Sequence, residues 1–180
     1  MTYPLLTSPV SLGPLRLRSR VVMASMHTGL EDRHEDLPRL AAFYRERAAA
    51  GVGLIVTGGV SPTREGRLTP GGAALTTPED AAAHRVVTEA VHAEGGLILL
   101  QFLHAGRYAA HPEAVAPSAI RAPISPVTPR EMSDGDVEAT VHAFARAAGL
   151  AREAGYDGVE IMGSEGYLLN QFLAPRTNRR

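Results

Sequence analysis

The sequence predicts an α/β fold built from parallel β/α units, and three observations carry that expectation. Amphipathic helical stretches alternate with short strand-like runs. Those runs are continuously apolar rather than alternating, as expected of strands covered by helices. Each run ends in polar or glycine residues: Ser25 and His27, Gly58 and Gly59, Gln101 and His104, Glu165 and Tyr167. Two architectures are compatible with this alternation. A doubly wound sheet concentrates its site at one switch point. A barrel brings the C-terminal end of every strand to one ring. Four polar strand ends favour the barrel, and four strands are half of an eight-stranded one.

The elements follow in order. Val10 and Leu12, then Leu15 and Leu17, alternate with polar neighbours around Gly13-Pro14, which predicts a small hairpin. A short strand runs from Val21 to Ala24. Asp36 is placed to cap a helix with Pro38 in its first turn, and Leu40, Phe43, Tyr44 and Arg47 fall at helical spacing. Gly51 ends that helix, and a buried strand from Val52 to Thr57 stops at Gly58-Gly59. Thr77-Pro78-Glu79-Asp80 resembles a capping box with Asp in the usual Glu position. Val87, Ala90, Val91 and Glu94 line one side of the following helix, and Leu97 to Leu103 is its strand. A third unit starts at Ser133 with Asp136 three residues on; Val137, Val141, Phe144, Ala148 and Ala151 form its apolar stripe, and Asp157 to Met162 its strand. The Pro-rich loop between Gly106 and Met132 is long enough to be functional or mobile.

Composition narrows the function classes. The chain has 180 residues, a net charge of −1 and no dense Lys/Arg run, so no nucleic-acid or anionic-membrane partner is indicated. It has no cysteine, which removes disulfides, thiolate nucleophiles and Cys-bound metals from this stretch. His27/His34 and His104/His111 are each seven apart, which is not the spacing of a helical ligand pair, so no metal is expected. No signal peptide and no membrane-length apolar run is present, and a cytoplasmic setting is expected. There is no P-loop and no complete dinucleotide fingerprint.

Three stretches could carry chemistry. In QFLHAGR, Gln101 lies inside an apolar strand and its amide needs partners if buried; it either reads a planar ligand or bonds to nearby backbone. In MASMHTG, small residues and His27 at a strand end allow close approach to a flat ligand, although a lone His is more often structural. In GSEGY, Tyr167 is placed to donate a proton and Glu165 to tune it or bind substrate; the plain alternative is a capped turn with exposed side chains.

Taken together, LGPLRLRSRVVMASMHTGLE, AFYRERAAAGVGLIVTGGVSP, HRVVTEAVHAEGG, LQFLHAGRY, VAPSAI and LAREAGYDGVEIMGSEGYLLNQFLAPRTNRR resemble the N-terminal half of the flavin barrel of the old yellow enzyme family. MHTGLE and MGSEGYLLN favour its bacterial 2,4-dienoyl-CoA reductase branch. The resemblance implies a (β/α)8 TIM barrel of which residues 1–180 are the N-terminal part, about four βα units, cut in the loop after the fourth strand. It implies FMN above the C-terminal face, contacted by Ser25, Met26, His27, Gly59 and Gln101. His27 stands where many relatives have Thr or Cys. Tyr167 matches the family's proton donor, while Glu165 and Met162 replace two His residues of the simpler ene-reductases. Arg176 lies where the reductase branch meets a CoA substrate, a suitable task for a guanidinium facing phosphates. Ser19 and Ala174 depart from the usual Asn and Ser.

The implied reaction is hydride transfer from reduced FMN to the distal end of a dienoyl thioester, with Tyr167 supplying the proton, in fatty-acid degradation. A longer polypeptide would add an iron–sulfur cluster, FAD and NADPH. The alternatives are an ene-reductase or an amine dehydrogenase or demethylase on the same barrel, or a non-catalytic truncated fragment. A half barrel leaves two strand edges open, so self-association or a missing C-terminal half is expected.

Overall fold

The computed structural model describes residues 3–180. The predicted hairpin is present as β1 (Val10–Leu12) and β2 (Leu15–Leu17), paired antiparallel. Four strands then form one parallel sheet: β3 (Val22–Met23), β4 (Leu54–Val60), β5 (Ile98–Phe102) and β8 (Gly158–Ile161), in the order β3-β4-β5-β8. The loop between Gly106 and Met132 adds a two-stranded parallel pair, β6 (Val115–Ala116) with β7 (Arg130–Glu131). Helices α1 (Leu37–Ala49), α2 (Pro78–Ala93) and α3 (Asp134–Glu153) connect the strands of the large sheet, and a short α4 (Leu168–Leu173) follows β8.

This topology decides between the two architectures. Spatial order follows chain order without the reversal that defines a doubly wound sheet. The three long helices also share one face. Leu40 and Tyr44 of α1, Val87 and Val91 of α2, and Ala147 and Ala151 of α3 bury a single core against Ile55, Ile98, Leu100 and Phe102. Strands wound one way, with helices on one side, are half of a (β/α)8 barrel. By register, the opposite face carries Val22, Val56, Leu99, Gln101 and Glu160, and this is the face turned toward the barrel interior.

Local chemistry explains the helix starts. Thr77 accepts from Asp80 N at 3.2 Å while Asp80 accepts from Thr77 N at 3.0 Å, a complete capping box despite the shorter acid. Ser133 and Asp136 build the same box on α3. The Arg47 guanidinium lies 3.5 Å from the Phe43 ring centroid, so its stem does cover the apolar edge of α1. No helix among the described residues is long and apolar enough to cross a membrane.

Three expectations need correction. Asp36 occupies the N-cap of α1 without a side-chain capping bond, because its carboxylate accepts from Arg39 and a 3-10 turn, His34–Asp36, leads into the helix. Gly58 and Gly59 do not stop the second strand of the sheet; they lie inside β4 at a bulge. The apolar stripe of α3 is rotated: Ala143, Ala147 and Ala151 are buried, and Val141 is 63% exposed. Apart from these, the loop after Gly106 packs onto the rest of the chain, with Ala109, Ala114, Ala122 and Ser125 buried.

Arg18 locks the end of the sheet opposite the site. Its guanidinium donates to carbonyls of Ala48, Val52 and Glu94, where α1 and α2 terminate. Ala48 and Glu94 sit at the ends of α1 and α2, where the i to i+4 ladder stops, and a cation there complements the helix dipoles.

Candidate active site

At the C-terminal end of the sheet, a cleft of about 380 Å³ opens over β4, β5 and β8. Ser25, His27, Gly59, Gln101, Glu165 and Tyr167 all line it. Residues far apart in the chain converge here because parallel strands end together. Met26, between two lining residues, is 48% exposed and does not line the cleft. Arg176 is exposed beyond α4, and its side chain has no hydrogen bond or ion pair among the described residues. The structure therefore gathers six of the eight expected site residues and leaves Met26 and Arg176 outside the cleft.

The floor is a polar chain. Gln101 is 4% exposed, so its amide must be satisfied internally. Its Nε2 donates to Glu160 Oε2 at 3.0 Å, and its Oε1 accepts from Ser25 Oγ at 2.8 Å. Glu160 as a carboxylate only accepts, which fixes the amide's orientation. The Gln101 side chain is thus bonded to side chains, not to the neighbouring backbone. Its own N–H donates to Thr57 Oγ1 at 3.0 Å, filling the gap in the ladder at the β4 bulge.

On one side His27 lines the cleft, held from behind by the loop that runs on to Glu31. Glu31 is 4% exposed. It accepts from Thr28 N at 3.0 Å and Thr28 Oγ1 at 2.6 Å, and pairs with His27 Nδ1 at 2.6 Å. Burial opposes the ionised carboxylate, yet the bonds from His27 and Thr28 outweigh it and hold Glu31 at about 2. The same bond to Glu31 raises the pKa of His27, against a smaller desolvation cost, with Asp32 adding attraction. Gly58 is glycine for this reason: a Cβ there would overlap Glu31 Oε1 and sit 2.9 Å from Met26 O. The Gly58 N–H donates to the buried Tyr44 hydroxyl at 3.1 Å. Gly59 is confined likewise, since a Cβ would lie 2.6 Å from Leu103.

The other wall carries Tyr167. Gly166 has φ +79° and Glu165 φ +61°, a left-handed conformation costly for a glutamate. Tyr167 is half-buried and meets Tyr108 edge to face, with centroids 5.9 Å apart. Burial, then the nearby Glu165 and Tyr108, raises its pKa above the ordinary tyrosine value. Its hydroxyl makes no hydrogen bond among the described residues. Among those residues, no cluster of three or more His, Cys, Asp or Glu side chains is arranged to hold a metal.

Several contributors escaped the sequence reading. Thr28 and Glu31 have T-x-x-E spacing, a capping-box signature that was available. Glu160 is a charge inside an apolar strand, which is itself a signal.

Comparison with known proteins identifies the family. The family model described as NADH:flavin oxidoreductase / NADH oxidase family matches residues 5–180. The chain belongs to that family, the old yellow enzyme family. It is 42% identical to a metal reductase of Desulforamulus reducens, covering 98% of this chain and 27% of that protein. It is 35% identical to the NADPH dehydrogenase of Bacillus subtilis, covering 97% of this chain and 53% of that one. Among solved structures, a 2-naphthoyl-CoA reductase complexed with 2-naphthoyl-CoA superimposes with a TM-score of 0.90 at 27% identity, over 99% of this chain and 30% of that one. The chain therefore spans about a quarter to a half of the length of these relatives.

Proposed function

We propose that residues 1–180 form the N-terminal part of an FMN-binding barrel domain of a reductase acting on 2,4-dienoyl-CoA. One observation carries the reading: a protonated, half-buried Tyr167 shares a cleft with the Ser25–Gln101–Glu160 chain. The donor set suits a flat ring bearing carbonyls and ring nitrogens. A hydroxyl and an amide lie on the floor, Leu68, Leu103 and Met162 supply apolar wall, and Gly59 leaves the floor low. The size of the cleft is in the usual range for a ligand pocket. Ser25, His27, Gly59 and Gln101 would hold the flavin, with Met26 contributing through its backbone.

Bound FMN would supply the hydride chemistry. The residues of this chain do the rest. Tyr167 holds a proton at its phenol oxygen for the carbon that becomes basic as the double bond is reduced. Glu165 stands at the mouth of the cleft and sets the charge beside that phenol. Arg176, exposed and unpartnered, would meet the substrate's phosphates. The naphthoyl-CoA reductase similarity supports a CoA thioester. The NADPH dehydrogenase similarity favours a second reading, an ene-reductase of simpler enones. The iron–sulfur cluster, FAD and NADPH belong to this proposal as parts of a longer polypeptide.

The test is turnover of the FMN-loaded protein with dienoyl-CoA and with a cyclic enone, before and after Tyr167→Phe. Preference for the thioester, and a roughly 10²- to 10⁴-fold loss in Tyr167→Phe with flavin still bound, are expected. Unchanged turnover would remove Tyr167 from its role, and preference for the enone would select the second reading.

A further inference from the structure

We infer that Gln171 is a positioning residue for Tyr167, clamping the loop after β8 to the loop after β5. The inference rests on the proton-donor reading of Tyr167 given above.

Gln171 is 1% exposed, although it belongs to a helix of under two turns near the surface. A buried primary amide is costly unless its donors and acceptor are used. Here they all are. Nε2 donates to Gly166 O at 2.6 Å and to Ala105 O at 3.2 Å, and Oε1 accepts from Arg107 N at 3.0 Å. One side chain therefore bridges the residue before Tyr167 and the turn that follows Gln101 and Leu103. The Gln171 backbone is held as well, its N–H donating to Tyr167 O at 2.8 Å and its carbonyl accepting from Thr177 Oγ1 at 2.7 Å.

Other contacts complete the clamp. Leu168 N donates to His104 O at 3.0 Å, so the peptides on both sides of Tyr167 are tied to the β5 loop. Gly106 has φ +58°, and a Cβ there would overlap the Gln171 amide. At Gly166 a Cβ would lie 2.6 Å from the Tyr108 hydroxyl, and Tyr108 is the ring that supports Tyr167. The two glycines let the loops approach closely, and the Gln171 amide joins them. The phenol oxygen is thus held relative to Gln101 by bonds between elements rather than by the loop backbone alone. A misplacement of about 1 Å at a reacting group can cost on the order of 10²-fold in rate.

The experiment is a double-mutant cycle in the FMN-loaded protein, combining Gln171→Met with Tyr167→Phe. Methionine keeps the approximate volume of the side chain and removes all three hydrogen bonds. Substrate reduction should slow roughly 10- to 100-fold in Gln171→Met, with the visible flavin spectrum and the rate of flavin reduction retained. In the Tyr167→Phe background the same change should alter turnover by less than about 2-fold, because the group being positioned is gone. Full turnover in Gln171→Met, or the same loss in both backgrounds, overturns the proposal. Unchanged turnover in Tyr167→Phe alone sinks the proton-donor reading and, with it, the catalytic consequence of the clamp. Hydrogen exchange tests the clamp without catalysis. The Arg107 and Leu168 amides should exchange at least about 10-fold faster in Gln171→Met while amides of β4 keep their protection. Unaltered exchange at both positions overturns the clamp itself.

Discussion

Replacing Glu31 by Gln tests the electrostatic account of the cleft wall. The carboxylate is buried and drawn from 4.5 to about 2 by bonds from His27 and Thr28. At roughly 1.36 kcal/mol per pH unit, that drop is worth about 3 kcal/mol. Water reaches His27 at the mouth of the cleft, and screening there leaves roughly 1–2 kcal/mol. Glu31 has a depressed pKa, so its contribution is present above 4.5 and lost as pH falls toward about 2. His27 has a raised pKa, so its contribution is present below 6.5 and lost as pH rises through the raised value. The pair therefore stabilises most between pH 4.5 and 6.5. Urea unfolding of both proteins should show a deficit of roughly 1–2 kcal/mol for Glu31→Gln at about pH 5.5, shrinking at about pH 3 and again at about pH 9. The His27 ring should titrate at lower pH in the variant when followed by NMR. A deficit constant across that range, or an unmoved His27 titration, would refute the ion-pair argument.

Two further predictions address strain and backbone satisfaction. Glu165→Gly should raise stability by about 0.5–1 kcal/mol in urea unfolding, because φ +61° costs a glutamate more than a glycine. Under the proposed function it should also lower substrate turnover, so a more stable and fully active variant would count against Glu165 as a site residue. Tyr44→Phe should cost about 1–3 kcal/mol by leaving the Gly58 N–H without its partner. Burial pushes the Tyr44 hydroxyl up to about 12, so that loss should be the same at about pH 6 and about pH 9, and a loss below about 0.5 kcal/mol would show that the bond contributes little.

What could be read from the chain was local. Both capping boxes were legible because Thr77 and Asp80, or Ser133 and Asp136, complete their bonds within one turn. The strands were legible as apolar runs, and their polar ends marked Ser25, His27, Gln101 and Tyr167 as candidates before any contact was visible. Gly58-Gly59 was misread as a strand stop because the demand on it is not local. Glu31 and Leu103 need the space, and nothing within the neighbouring residues announces either. The stripe of α3 was misplaced for a related reason: periodicity gives a face, but the strand behind it selects which alanines are covered.

By itself, the sequence determined the β/α grammar, the helix starts and the residue types present at the strand ends, since these follow from bonds and periodicities spanning a few residues. Tertiary structure alone decided that the strands wind one way with their helices on one face. It decided too that Ser25, Gln101 and Glu160 form one chain, that Glu31 holds His27, and that Gln171 joins the loops around Tyr167. Each of these depends on side chains brought together by the parallel sheet, whose shared C-terminal edge gathers residues the chain keeps far apart.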